Sequence, residues 1–81
     1  MAEVSRLGRR LKVFRERAGL SQHQLARLSG VSRSAIAGVE TGDRGDLSLA
    51  NAIRVADALG ITIDALARGD VLDTEPAAAL A

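Results

Sequence analysis

The chain has 81 residues, 47% of them hydrophobic and 26% charged, with a net charge of +1, a single Phe, a single His and no Cys. That length bounds one small domain. The missing cysteine excludes disulfides and thiolate metal sites and fits a reducing compartment, and no apolar run approaches the ~18 residues of a membrane span. The opening stretch MAEVSRLGRR has no apolar signal core, so a cytoplasmic protein is expected. Ala, Leu and Arg are abundant and Pro occurs once, which favours an all-α fold over a β-sandwich. One histidine, His23, has no Ser and Asp arranged with it as a triad, and the glycines form neither a P-loop nor a dinucleotide fingerprint. No enzyme, cofactor or metal site is therefore expected.

Taken in order, the spacing predicts a first helix over residues 3–18. Val4, Leu7, Leu11, Phe14 and Ala18 recur every three or four residues and make one apolar stripe. Arg6, Arg9, Arg10, Lys12 and Arg17 lie mostly off it. Gly19 ends the helix and Leu20 enters the core.

A second helix is expected over residues 22–29. Ser21 has the chemistry to cap it, with Gln24 three residues on to complete a capping box. Leu25 and Leu28 share one face, and Ala26 is small enough for another helix to approach. Gly30 stops the helix in the left-handed conformation that glycine adopts without steric cost. Ser32 then caps a third helix, residues 32–41, with Ile36 and Val39 inward and Ser32, Arg33, Ser34, Ala37 and Gly38 outward. Two short helices joined by a glycine-containing turn are either a helix-turn-helix or an αα-corner of a small bundle, and spacing alone leaves both open.

Residues 42–47, GDRGDL, read as a loop. Ser48 caps a fourth helix, residues 49–59, with Leu49, Ile53, Ala56 and Leu59 inward; Gly60 closes it. Ile61 enters the core, Thr62 caps a fifth helix and Leu66 anchors it. From Gly69 the pattern is lost. The tail, residues 69–81, is acidic and then alanine-rich after Pro76; either it is disordered or Val71, Leu72 and Leu80 pack on a second subunit.

The small net charge hides an asymmetry. Residues 1–44 carry nine Arg or Lys and four acids, whereas residues 45–81 carry two Arg and six acids. Either the first half is a surface for phosphates, or charge is simply spread over solvated helix faces.

The set Gln22, Leu25, Ala26, Gly30, Val31, Ser32, Ile36, Glu40 and Gly42 resembles the helix-turn-helix of the Cro/CI/XRE family of transcriptional regulators. The match continues upstream at Leu7, Leu11 and Arg15, and downstream at Ser48, Ile53, Ala56, Leu59, Gly60, Ile61 and Leu66, covering residues 4–68. The resemblance implies a five-helix, lambda-repressor-like DNA-binding domain over residues 1–68, followed by the tail. It implies that the third helix enters the major groove of double-stranded DNA. On that footing Arg33 is the strongest candidate for reading sequence, through a bidentate contact to guanine, with a phosphate contact or a plain solvated arginine as the alternatives. Ser34 would touch a base edge with little selectivity. Ala37 and Gly38 carry no polar group, and a close approach of DNA is one reason for a glycine in mid-helix.

Gln22 matches the family's glutamine on the DNA backbone, and Arg44 in the loop is read as a phosphate ligand. Arg15 and Glu40 match a structural ion pair between the first and third helices. Ile61, Ile63, Leu66 and Ala67 match a region that forms a two-fold contact in the family; here they make a homodimer or finish the monomer core. Two departures stand out: Asp43 and Asp46 beside Arg44 disfavour phosphate, and Ala52 replaces a larger apolar residue. The implied function is a sequence-specific regulator, a repressor binding a palindromic operator as a dimer. The alternatives are the antitoxin of a toxin–antitoxin pair, with a toxin as partner, a restriction–modification controller, or an interaction domain without DNA binding.

Overall fold

Each of the five helices among the described residues begins at a serine or threonine whose hydroxyl oxygen accepts the backbone N–H three residues on. Gly8 donates to Ser5 at 3.0 Å, Gln24 to Ser21 at 3.0 Å, Ala35 to Ser32 at 3.1 Å, Asn51 to Ser48 at 3.1 Å and Ala65 to Thr62 at 3.0 Å. The computed structural model describes residues 4–69, which form α1 Arg6–Arg17, α2 Gln22–Ser29, α3 Arg33–Thr41, α4 Leu49–Leu59 and α5 Ile63–Ala67, with no strand among them. Glycine closes four of these helices. At the end of α1, Gly19 is left-handed (φ +74°) and its N–H donates to the Glu16 carbonyl, while Leu20 N–H donates to that of Arg15. Those two bonds satisfy carbonyls that a helix end otherwise leaves without a partner.

α1 starts later than the spacing predicts. Ser5 takes the N-cap, so Val4 lies outside the helix, and Ala18 is the exposed C-cap. α1 packs on α3 and α5, α2 on α3 and α4, and α4 on α5. Their shared core holds Leu11, Phe14, Leu25, Val31, Ala35, Ile36, Val39, Val55, Ala56 and Leu66. Each fully buried Leu or Ile stabilises the fold by about 1.5–3 kcal/mol. α1 and α3 cross at Gly8, where an added β-carbon would fall 2.2 Å from the Val39 carbonyl oxygen. Glycine is required there by backbone contact.

The inward face of α4 differs from the expected one. Ala56 and Leu59 face the other helices as expected, but Leu49 is 72% exposed and Ile53 43%, and Ala52 and Val55 take the inward places instead. Both columns are apolar and both have helical spacing, so the position of neighbouring helices, not periodicity, selects between them. Leu28 also points outward, 64% exposed, leaving Leu25 as the buried anchor of α2. No helix among the described residues is long and apolar enough to cross a membrane. Residues 70–81, including Val71, Leu72 and Leu80, lie outside the described residues.

Candidate nucleic-acid interface

The α2–turn–α3 unit is built from short-range instructions. The capping box on α2 is complete: Ser21 Oγ accepts from Gln24 N–H and Gln24 Oε1 accepts from Ser21 N–H at 2.8 Å. Gly30, at φ +75°, ends the helix. Ser29 Oγ then accepts the Val31 N–H at 3.1 Å, and Val31 drops into the core. Ser32 opens α3 almost at once. The turn is thus fixed at both ends by side-chain caps and in the middle by one buried valine.

α3 divides cleanly into two faces. Ala35, Ile36, Val39 and Glu40 are buried. Ser32, Arg33 and Ser34 are exposed at its N-terminal end, while Ala37 and Gly38 are half-buried. The structure therefore brings Ser32, Arg33 and Ser34 together on one accessible surface. No ion pair involves Arg33 among the described residues. At the start of α2, the N–H groups of Gln22 and His23 have no acceptor among the described residues, and the helix dipole places partial positive charge there. His23 is exposed, and no cluster of metal-ligating side chains occurs among the described residues.

A clamp holds the far end of α3. Arg15 Nε donates to Glu40 Oε2 at 2.7 Å, and Arg15 Nη2 to Oε1 at 2.9 Å, a bidentate pair with Arg15 9% and Glu40 7% exposed. The third guanidinium group, Nη1, donates to the Leu20 carbonyl at 2.7 Å. The hydrogen bond to Glu40 raises the Arg15 pKa above its ordinary value, so the guanidinium stays charged. Gln22 joins the clamp: its amide donates to Glu40 Oε1 at 3.1 Å. One carboxylate therefore ties α1, α2 and α3 together. The sequence reading gave Gln22 only an outward role.

The loop after α3 turns at Gly42, φ +93°, and brings Arg44 back over Gly38, which lies beneath the arginine side chain. The space above this mid-helix glycine is filled from within the chain. Asp43 and Asp46 are exposed, and Asp46 Oδ1 accepts the Leu47 N–H at 2.9 Å.

The expected dimer residues separate. Leu66 is buried in its own chain, which for this residue favours the monomer-core alternative over the dimer contact. Ile61 and Ile63 are half-buried and Ala67 is exposed. Ile63 and Ala67 border an open cleft of about 390 Å³ together with Leu7, Leu47, Leu49 and Ala52. Arg10 braces this end, with Nε donating to the Leu66 carbonyl at 2.7 Å and Nη2 to that of Ala67 at 2.5 Å. A basic side chain at these terminal carbonyls complements the helix dipole.

The helix-turn-helix family profile matches residues 11–66, from the core of α1 to the anchor of α5. The chain belongs to the Cro/CI/XRE-type helix-turn-helix family. It is accordingly a DNA-binding transcriptional regulator. Among solved structures, the regulator is similar to the restriction-modification controller protein C.AhdI from Aeromonas hydrophila, at 47% identity and TM-score 0.69, over 74% of this chain and 89% of that one. It is also similar to the hypothetical transcription factor NHTF from Neisseria, at 28% identity and TM-score 0.73, over 86% of this chain and 79% of that one. No curated protein matches the regulator.

Proposed function

We propose that this regulator is a restriction–modification controller that binds a palindromic operator as a homodimer in the cytoplasm. The observation that carries the reading is the 47% identity to a controller protein over 74% of the chain. The backbone N–H groups at the start of α2, with Gln22 and Ser32, set the register on phosphates; Arg33 and Ser34 then read base edges, and the loop presents Arg44 to the same half-site. Repression follows from a dimer bound where polymerase must sit. The dimer surface comprises Ile61, Ile63 and Ala67, and it is supported by the exposed Leu49 and Ile53 on α4, apolar side chains that the monomer leaves in water.

Selection of binding sites from random duplex DNA at near-physiological salt tests this. Enrichment of a palindrome with half-sites about one helical turn apart is expected. Arg33→Ala should weaken binding by about 5–150-fold and relax one guanine position in each half-site, the equivalent of ~1–3 kcal/mol. No enrichment by the folded protein would overturn operator recognition. A reporter behind the selected site that rises when the protein is supplied would overturn repression.

A further inference from the structure

The outer face of α3 has no polar side chain at Ala37 and Gly38. The loop beyond the helix fills that gap. The Gly38 carbonyl accepts two N–H groups, from Gly42 at 3.1 Å and from Arg44 at 2.9 Å, which fixes the Arg44 backbone above the last turn. Its side chain then lies along the helix. A β-carbon added at Gly38 would fall 3.0 Å from Arg44 Cγ, 3.1 Å from Cδ and 3.3 Å from Nε. Those separations are short of ordinary van der Waals contact, so the arginine stem occupies the space any larger residue would need. The stem is seated on the helix backbone while the residue remains exposed. No carboxylate pairs with its guanidinium among the described residues, although Asp43 and Asp46 flank it in sequence.

We propose that Gly38 is a positioning residue for DNA recognition. It seats the Arg44 side chain across α3, so that a guanidinium belonging to the loop acts as part of the recognition helix and supplies the donor that Ala37 and Gly38 lack. Gly38 lies five residues past Arg33, about 7.5 Å along the axis, a little over two base-pair steps of ~3.4 Å. The two arginines thus address different places in one half-site. The inference rests on the proposal that α3 enters the major groove.

The seat makes an unusual pairing of effects. Alanine is the better helix former, and Arg44 is long and exposed enough to swing aside, so Gly38→Ala should leave Tm unchanged or raise it by about 4–8 °C. The same variant should bind its operator more weakly. The test is a double-mutant cycle of wild type, Gly38→Ala, Arg44→Ala and the double variant, each measured for Tm, for Kd on the selected operator and for base preference. Arg44→Ala should weaken binding about 5–150-fold. Gly38→Ala should weaken it in the same direction and disturb the same base position, and should add nothing once Arg44 is gone. Three results would overturn the seat. One is Gly38→Ala binding like wild type. Another is an equal loss with and without Arg44, which would mean that DNA itself needs the space. The last is a lowered Tm, which would mean that the fold needs the glycine. A wild-type chain that selects no DNA sequence would instead bring down the operator reading, a separate failure from these.

Discussion

Replacing Glu40 by glutamine keeps the size of the side chain and removes its charge. In the wild type the carboxylate accepts three donors, two from Arg15 and one from Gln22. A glutamine offers one oxygen and turns an amide N–H group toward donors it cannot satisfy. Arg15, 9% exposed, then carries a charge with no carboxylate to balance it, and only one amide oxygen and the Leu20 carbonyl still accept from it. Breaking a buried pair by removing one partner costs about 3–5 kcal/mol, and the surviving Leu20 contact argues for the lower end, ~3 kcal/mol. For a domain of this size that is a fall in Tm of about 12–24 °C, a large share of a total stability of ~5–15 kcal/mol. The chain has no Trp or Tyr, so far-UV circular dichroism is the suitable probe of unfolding. The paired apolar replacement, Arg15→Met with Glu40→Leu, should recover most of the loss, because it removes the stranded charge along with the pair. A fall of less than ~3 °C for Glu40→Gln would refute the reasoning. It would place the clamp among exposed ion pairs worth ~0–1 kcal/mol.

Three further substitutions test the packing and the caps. Gly8→Ala puts a β-carbon 2.2 Å from the Val39 carbonyl, a backbone atom that cannot swing aside; a net loss of about 1–3 kcal/mol is expected despite better helix propensity, read as a lower urea midpoint at unchanged slope. Leu25→Ala leaves a void under the helix-turn-helix where α2 has its one wholly buried side chain, and should cost about 2–5 kcal/mol in the same titration. Ser21→Ala removes half of the capping box and should lower Tm by about 4–8 °C, the equivalent of ~1 kcal/mol; an unchanged melt would mean that packing alone fixes the start of α2.

What was legible in the sequence is what is decided locally. Ser21 with Gln24, Gly30, Ser32, Ser48, Gly60 and Thr62 act within four residues of themselves, and four of the five helix starts follow from them. Ser5 was missed because Val4 continues the apolar stripe one turn too far, and the cap lies inside the pattern. The choice between Leu49/Ile53 and Ala52/Val55 was not legible, since both columns are apolar and only the path of α2 and α5 distinguishes them. The carbonyls that Arg10 holds lie 56 and 57 residues away, beyond any local signal. Gly38 was visible as a glycine needing a reason. DNA was one reason the pattern offered, and nothing in the pattern shows that the loop folds Arg44 back onto the helix.

The position of the clamp has a mechanical consequence. Glu40 sits at one end of α3 and Arg33 at the other, about 10 Å apart along the axis. The anchored end is a pivot and the reading end is the tip of a short lever. A tilt of about 6° at the pivot displaces the tip by ~1 Å, enough to take a hydrogen bond out of its working range. If Arg33 reads the operator as proposed, changes in α1 around Arg15 would re-aim it without touching DNA.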